Sequence, residues 1–593
     1  MAADEKSVAC RTPPSARPDA VPRGLARWVP ALSWVKAYRL AWLPHDVAAG
    51  VTLSAVLVPA GMAYAEAAGL PAASGLYASL AALVTYALFG PSRILVLGPD
   101  SALVALIAAT VMPLARDGGA HAVILAGALA QLSGAICAAV GLLKLGFVAD
   151  LLSTPIRHGY LNGIMLTIVL SQLPKLLGFS VHGETFVLQV RELADGVLAG
   201  RTNLAAMTIG ALSLAAILGC RRWAPKAPGV LIAVAAATIA TALLNLASSA
   251  GVAVVGTLPR GLPAPHIALP VLHEWLALTA TAAAIALVSF TDVSMLSQTY
   301  GLRGGVPADR NQECVALGIA NIAAALFQGF PVSASGSRTP VAEAAGAKTQ
   351  GTGLVAALMV AILLLFLPQA LHDTPQAALA AVVVAASLAL LETRGMLRLY
   401  RLRRGELAQA LVCFFGVVLS GVVTGVGIAL GLAVLMFLWR AWRPYSAVLG
   451  RVDGVKGYHD ISRHPDARRI PGLVLLRWDA PLFFANAQIF RERVLRALRD
   501  APTATRWIVI AAEPVTDIDI TAADMLMQLD EELDALQVQL CFAELKGPVK
   551  DSLKRYGIFE RIGGHYFMPT VGRAVGEYLE AHPVEWHDWE DDA

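Results

Sequence analysis

Charge is scarce in this chain: Lys, Arg, Asp and Glu supply 15% of 593 residues, against about a quarter in an ordinary soluble protein. That shortage excludes a single soluble fold. It is also uneven, because residues 47–442 hold 21 Lys+Arg and 15 Asp+Glu in 396 positions, whereas residues 443–593 hold 18 and 24 in 151. The first block has membrane composition, and the second is soluble in composition with a net charge of −6 (18 − 24). The overall net charge of +3 averages opposite halves, and no nucleic-acid partner is expected. Cysteine is scarce too: Cys10, Cys137, Cys220, Cys314, Cys413 and Cys541 are scattered with no CxxC and no His at ligand spacing. A disulfide framework and a metal site are both unsupported. No Walker loop follows a strand, and no nucleophile–base–orienter set is present, so neither ATP drive, an enzyme activity nor a cofactor is expected. No secretory signal is read, since the first long apolar run begins near Val47 behind 46 polar and Pro-containing residues; that run is expected to be a retained first span.

What the sequence has in quantity is apolar runs of about the 20 residues needed to cross a bilayer. They fall near 47–67, 70–90, 120–143, 156–177, 203–220, 229–248, 273–297, 314–330, 350–371, 375–392, 406–424 and 426–439. Two more stretches, near 99–113 and 335–347, are too short or too polar to cross alone. With a cytoplasmic N-terminus, the inside loops collect Arg93, Lys144, Arg157, Arg221, Arg222, Lys226, Arg303, Arg310 and the cluster Arg394, Arg398, Arg401, Arg403 and Arg404. The outside keeps Arg116, Arg191, Arg201 and Arg260. This positive-inside register works only if both odd stretches count as crossings. The expectation is therefore fourteen spans over 44–442 with both termini cytoplasmic, where hydropathy alone gives twelve. Residues 1–43 read as a cytoplasmic segment in which Trp28, Trp34 and Trp42 form a belt at the membrane interface.

After Arg443 the period changes. Residues 443–470, with Gly450, Gly454, Gly457 and His464-Pro465, read as a linker. Over 471–583, strand-like runs (472–478, 482–485, 506–512, 538–544) alternate with helical ones near 488–499, 521–537, 547–556 and 570–582. That alternation predicts a small cytoplasmic α/β domain with one sheet. The acidic tail 584–593 reads as a solvated terminus.

The two odd stretches carry the chemistry. The first is L-G-P-D-S-A (97–102) leading into an apolar run, and the second is F-P-V-S-A-S-G-S-R-T-P-V-A-E (330–343). Non-helical backbone at membrane depth is tolerated only where protein buries it or it lines a cavity. Each stretch would start a half-helix inside the bilayer, with free N–H groups and the positive dipole end exposed. Two such half-helices at corresponding places of two halves point to a transport site, and facing N-termini suit an anion. Arg338 lies inside the second stretch. A cation at the bilayer centre costs roughly 2.5–3.5 kcal/mol, so Arg338 needs a wet cavity or a partner, and the bland alternative pairs it with Asp100 or helix carbonyls to fix the fold. Ser335 and Ser337 are candidate substrate donors, or plain N-caps; Ser101 and Gly336 complete the candidate set. Asp292, within ALVSFTDVSMLSQ (286–298), is an acid in mid-span. It would hold a coupling proton, or sodium if several oxygens converge. Its same-face neighbours Val288, Ser289, Met295 and Leu296 offer one oxygen, which favours the proton over sodium; the structural alternative is neutralisation by Arg338. Asp100 satisfies a helix dipole yet opposes an anion, so it is protonated, paired with Arg338, or a sign that the ligand is not a simple anion; it joins Asp292 as a candidate coupling-ion residue. Glu66 and Glu343 sit at span ends, where solvation explains them.

At V-P-A-G-M-A-Y-A (58–65), A-G-L-P (68–71), G-L-Y (75–77), Y-A-L-F-G-P-S-R (86–93), S-G-S-R (335–338) and G-A-K-T-Q (346–350) the chain resembles the sulfate permease (SulP) family of anion transporters. The soluble block resembles the family's STAS domain through PLFFANA (481–487) and D-I-D-I-T-A-A-D (517–524). The likeness covers about residues 30–585. It implies a polytopic α-helical membrane protein of two inverted seven-span repeats, arranged as core and gate domains, followed by a small cytoplasmic α/β STAS domain. It also implies a homodimer in the plasma (inner) membrane that moves sulfate, bicarbonate, chloride or dicarboxylates. Carried over by motif, Tyr64, Ser337 and Arg338 would line the anion site, and Asp292 falls where many prokaryotic members place a coupling acid. Ala60 stands where the family motif often has Gln. The STAS block would dock or regulate through a cytoplasmic protein, and Thr521 stands near the position phosphorylated in bacterial relatives; its plain alternative is N-capping. The expected function is proton- or sodium-coupled anion symport by alternating access. An anion exchanger, a proton-coupled nucleobase-type carrier and a non-transporting membrane sensor with STAS output are the alternatives.

Overall fold

The computed structural model describes residues 28–115, 119–147, 153–181, 185–224, 227–304, 309–336 and 338–592. The chain divides into two compact units, one up to Ala433 and one from Val434.

In the first unit the longer helices, with the seven-residue α11, are α1 (Leu43–Ala67), α2 (Ala72–Phe89), α3 (Ser101–Leu114), α4 (Gly119–Leu142), α5 (Thr154–Leu177), α6 (Phe186–Leu198), α7 (Leu204–Trp223), α8 (Gly229–Leu243), α9 (Leu272–Gly304), α10 (Arg310–Leu326), α11 (Arg338–Ala344), α12 (Gly351–Phe366), α13 (Gln376–Ser387), α14 (Thr393–Leu402), α15 (Arg404–Ser420) and α16 (Val422–Trp442), the last running on across the boundary between the units; Ala31–Lys36 and Leu246–Ser249 are short helical turns. Two short strands, β1 (Leu97–Gly98) and β2 (Ser333–Ala334), precede α3 and α11. Among the described residues, seven helical stretches are long and apolar enough to cross a membrane, and shorter apolar ones include α3, α8 and α12. Two amphipathic helices, α6 and α14, were not foreseen from the apolar runs. α14 carries Arg394, Arg398 and Arg401 on a short helix with no buried residue, as a segment lying at an interface requires.

The helices sort into two groups by packing. One comprises α1–α4 with α9–α12, in which α4 lies on α10 and α9, and α12 lies on α1 and α2. The other comprises α5, α7, α8, α13 and α15, in which α5 lies on α13 and α15, and α7 on α13 and α8. They meet along α1 and α3. Lipid supplies no hydrophobic drive for helix association, so close backbone approach at small residues does the work. Gly134 and Gly318 show it: a Cβ at either would come within 2.7 Å of the other's carbonyl oxygen.

The second unit holds a six-stranded sheet. Its strands are β3 (Ser446–Arg451), β4 (Tyr458–Asp460), β5 (Leu473–Trp478), β6 (Trp507–Ala511), β7 (Gln539–Ala543) and β8 (Phe567–Met568), in the order β4-β3-β5-β6-β7-β8. β5 to β8 run parallel, and β3 is antiparallel to both its neighbours. Helices α17 (Ala487–Arg499), α18 (Ile520–Ala535) and α19 (Gly547–Arg555) bury one face with Trp478 and Phe490, while Ala574 and Tyr578 of α20 (Val571–Ala581) lie in the cluster on the other.

Two boundaries move. The stretch 443–470 is not a linker, because β3 and β4 lie inside it; Gly454 and Gly457 mark the turn of an edge hairpin, and Gly450 lies within β3. The tail is not simply solvated either. Arg451, buried to 4% exposure, places Nε 2.9 Å from Asp588 and Nη2 2.8 Å from Glu590. Its guanidinium also lies over the rings of Tyr458 and Trp589, and Arg468 lies over Trp586. Paired bidentate and stacking contacts of arginine explain why an acidic, Trp-containing end docks instead of remaining in water.

Candidate functional site

The two broken stretches meet. β1 and β2 pair antiparallel, with Leu97 opposite Ala334 and Gly98 opposite Ser333, and each strand runs directly into its half-helix. The short pairing extends through Ser335 N–H to the Val96 carbonyl (3.2 Å) and Val96 N–H to Thr339 Oγ1 (3.2 Å). Breaking a span this way leaves polar backbone at membrane depth, and the strand pair satisfies part of it. Buried amides hold both approaches. Gln350 Nε2 donates to the Ser92 and Leu95 carbonyls (2.8 and 3.1 Å), and Asn321 donates to the Val332 carbonyl (3.1 Å) while accepting from Val332 N–H (2.9 Å).

The site residues gather around this crossing. Asp100 is the N-cap of α3, accepting from Ala102 N–H at 3.0 Å, and Ser101 opens that helix, 5% exposed. Ser335 serves as an N-cap for α11, its hydroxyl accepting from Arg338 N–H at 3.3 Å; its capping reading is thus realised. Gly336 is exposed, with no atom within 4 Å of where a Cβ would lie. Ser337 lies outside the described residues. Arg338 is 1% exposed and donates Nη2 to the Pro99 carbonyl. Its Nε and Nη1 meet no hydrogen-bond partner among the described residues. Tyr64, 4% exposed on α1, faces Ser101 and lies within electrostatic reach of Asp100 and Arg338. Seven of the eight membrane candidates are thus described, and Tyr64, Asp100, Ser101, Ser335 and Arg338 form one cluster. The arrangement presents two half-helix N-termini and a buried guanidinium to one place, which is the chemistry of an anion site.

Asp292 stands apart, and its partner is not Arg338. Arg157 Nη2, from the first turn of α5, lies 3.3 Å from Asp292 Oδ1, and Nη1 reaches the Met295 sulfur. From its position in the sequence Arg157 reads as a loop charge that sets orientation. Three further polar residues are buried. Glu313 is fully buried, accepting from Tyr86 Oη (2.8 Å) and Ser92 Oγ (2.5 Å). Asp46, 1% exposed, accepts from Lys348 and Thr349 N–H and from the Thr349 and Thr352 hydroxyls, joining α1 to the start of α12. Asn321 is the third. A polar residue inside an otherwise apolar run was the available signal for Asn321; Asp46 and Glu313 were hidden by lying at span ends.

In the second unit Thr521 is exposed in the first turn of α18, but it does not cap it. Asp519 does, accepting from Ala522 N–H at 2.8 Å and from Phe484 N–H at 2.8 Å.

Comparison with known proteins agrees with this geometry. Residues 43–414 match the sulfate permease family and residues 464–574 match the STAS domain. A probable sulfate transporter of Mycobacterium tuberculosis strain H37Rv is 41% identical over 550 residues, 93% of this chain and 98% of its own. Sulfate transporter 4.1, chloroplastic, of Arabidopsis thaliana is 29% identical over 595 residues, covering 95% of this chain and 85% of its own. Among solved structures, SLC26A9 superposes with a TM-score of 0.87 at 23% identity, over 95% of this chain and 94% of that one. The transmembrane domain of the cyanobacterial bicarbonate transporter BicA gives 0.58 at 22% identity, over 67% and 98%. With the family model matched over most of the membrane part and the STAS domain matched after it in the sequence, this chain belongs to the sulfate permease family of membrane anion transporters that carry a STAS domain.

Proposed function

We propose that this protein carries sulfate, or an oxyanion like it, across the membrane by alternating access, coupled to a cation bound at Asp292. The observation that carries the reading is the strand pair Leu97–Ala334 and Gly98–Ser333, which brings the starts of α3 and α11 together beside the buried Arg338 guanidinium. The first N–H groups of both half-helices and Arg338 would bind the anion, with Ser101, Ser335 and Gly336 at its rim and Tyr64 behind it; Ser337 is proposed as a further hydrogen-bond donor on its sequence motif alone. Sulfate is favoured over the other family anions because the more similar curated relative is named a probable sulfate transporter. Asp292 would hold the coupling cation, a proton before sodium, because the side chain that pairs with it among the described residues is the Arg157 guanidinium rather than a shell of oxygens. Asp100, engaged as a helix cap, would shape the field at the anion site. The half of the molecule built from α1–α4 and α9–α12 corresponds to a core that carries the site, and the other helices to a gate. Fourteen crossings with both termini cytoplasmic, the plasma membrane as location, a homodimer, and a cytoplasmic protein docked on the STAS domain complete the proposal.

The test is an uptake panel in proteoliposomes with sulfate, bicarbonate, chloride, fumarate and succinate, each with and without proton and sodium gradients. Saturable sulfate uptake enhanced by an inward proton gradient supports the reading. Uptake of another member of the panel with no competition by sulfate overturns the substrate, and flux that depends on a counter-anion but on neither gradient overturns the symport.

A further inference from the structure

The Arg157–Asp292 pair joins the two helix groups, and this placement is what gives it a role. Arg157 belongs to α5, which packs on α13, α15 and α7, whereas Asp292 belongs to α9, which packs on α4, α10, α3 and β2. α5 and α9 otherwise barely approach each other. One guanidinium spans the gap, with Nη2 3.3 Å from Asp292 and Nη1 on Met295, one turn further along the same face of α9.

Neither partner is sealed. The Arg157 side chain is 28% exposed and that of Asp292 16%. Several other groups surround the carboxylate. Tyr160 of α5 and Asp100 of α3 lie within electrostatic reach of Asp292. From β2, Ser333 reaches the Ser289 carbonyl one turn away, and from α4, Cys137 reaches the Ala286 carbonyl. From α10, Glu313 is already held by Tyr86 and Ser92. His158, next to Arg157, lies 3.9 Å from Glu392 and so faces away. Arg157 is therefore the cation that a coupling ion must displace.

We propose that Arg157 is a positioning residue for coupled transport: its ion pair with Asp292 latches the two helix groups in the arrangement seen here, and a coupling cation at Asp292 releases the latch. A ligand shifts a conformational equilibrium only by its differential affinity for the two states. A carboxylate paired to the opposite group in one state and unpaired in the other supplies that difference, and linkage makes it reciprocal. The proposal rests on Asp292 being the coupling site, and its test includes a measurement that needs no flux.

Spin labels are placed on exposed Leu276 of α9 and exposed Val190 of α6 in the full chain, with the native cysteines replaced, and the distance distribution is measured in liposomes. Arg157→Gln and Asp292→Asn are expected to shift it to the same new maximum, the double variant no further than either single one, and Arg157→Lys to restore the original. In sulfate uptake, Arg157→Gln removes the competitor of the coupling ion, so the half-activating proton concentration is expected to fall about tenfold, one pH unit. A wild-type distribution in Arg157→Gln, or shifts that add in the double variant, overturns the latch, whether or not flux is observed. A shifted distribution with unchanged proton dependence overturns its role in coupling.

Discussion

Gly98 lies directly against the guanidinium of Arg338: a Cβ at this position would stand 2.9 Å from Nη1. The contact links the two halves of the site, because Gly98 is the last residue of the strand before one half-helix and Arg338 the first residue of the other. The absence of a side chain at residue 98 lets the cation settle beside Pro99.

Gly98→Ala should therefore displace Arg338 without unfolding the protein. Sulfate uptake is expected to fall by about tenfold or more, the equivalent of about 1.4 kcal/mol, while the elution profile in detergent stays that of the wild type. Tracer uptake at subsaturating sulfate checks it, and an unchanged rate would mean that the guanidinium position does not matter.

Asp46 is expected to act on stability. Its carboxylate collects two backbone N–H groups and the hydroxyls of Thr349, Thr352 and Tyr38. Asp46→Ala strands these donors in a buried place at about 1–3 kcal/mol for each left unsatisfied. The expected result is a melting temperature lowered by several degrees in detergent, with Asp46→Asn intermediate.

The docked tail carries a pH dependence with a definite sign. Burial raises the Asp588 pKa, but the hydrogen bonds and charge of Arg451 outweigh it and hold the carboxyl below its ordinary range. A carboxylate depressed in the folded state stabilises docking above its unfolded pKa and loses that contribution as pH falls through the folded value. The tail should therefore stay docked at neutral pH and detach only in acid, as pH falls below the ordinary carboxylate range. Comparing the fluorescence of the wild type with that of a Trp586→Phe, Trp589→Phe variant isolates the signal. Arg451→Gln is expected to release the tail already at neutral pH.

The readable parts of this molecule are those where a local rule is broken in a conspicuous setting. Pro99 and Pro331 interrupt apolar runs, so the half-helices could be placed before any contact was known, and Asp292 and Arg338 stand out because nearly everything around them is apolar. Partnership was harder to read. Arg157 is 135 positions from Asp292, and at the start of a span a cation looks like an orientation signal; only the fold brings it to the carboxylate. Asp46 and Glu313 are hidden for the same reason, since an acid at a span end is ordinarily solvated and here is buried by segments distant in sequence. In the soluble unit, the glycine-rich hairpin of β3 and β4 resembled a linker because turn residues mark both, and the acidic tail resembled a free end because its arginine partners lie more than a hundred residues earlier.

Coupled anion transport with Asp292 as the cation site is tested most directly by tracer sulfate accumulation in proteoliposomes under an imposed inward proton gradient. Wild-type protein should concentrate sulfate above the equilibrium level. Asp292→Asn should still bind and equilibrate sulfate but fail to concentrate it. If Asp292→Asn concentrates sulfate with the wild-type dependence on the gradient, the account is contradicted.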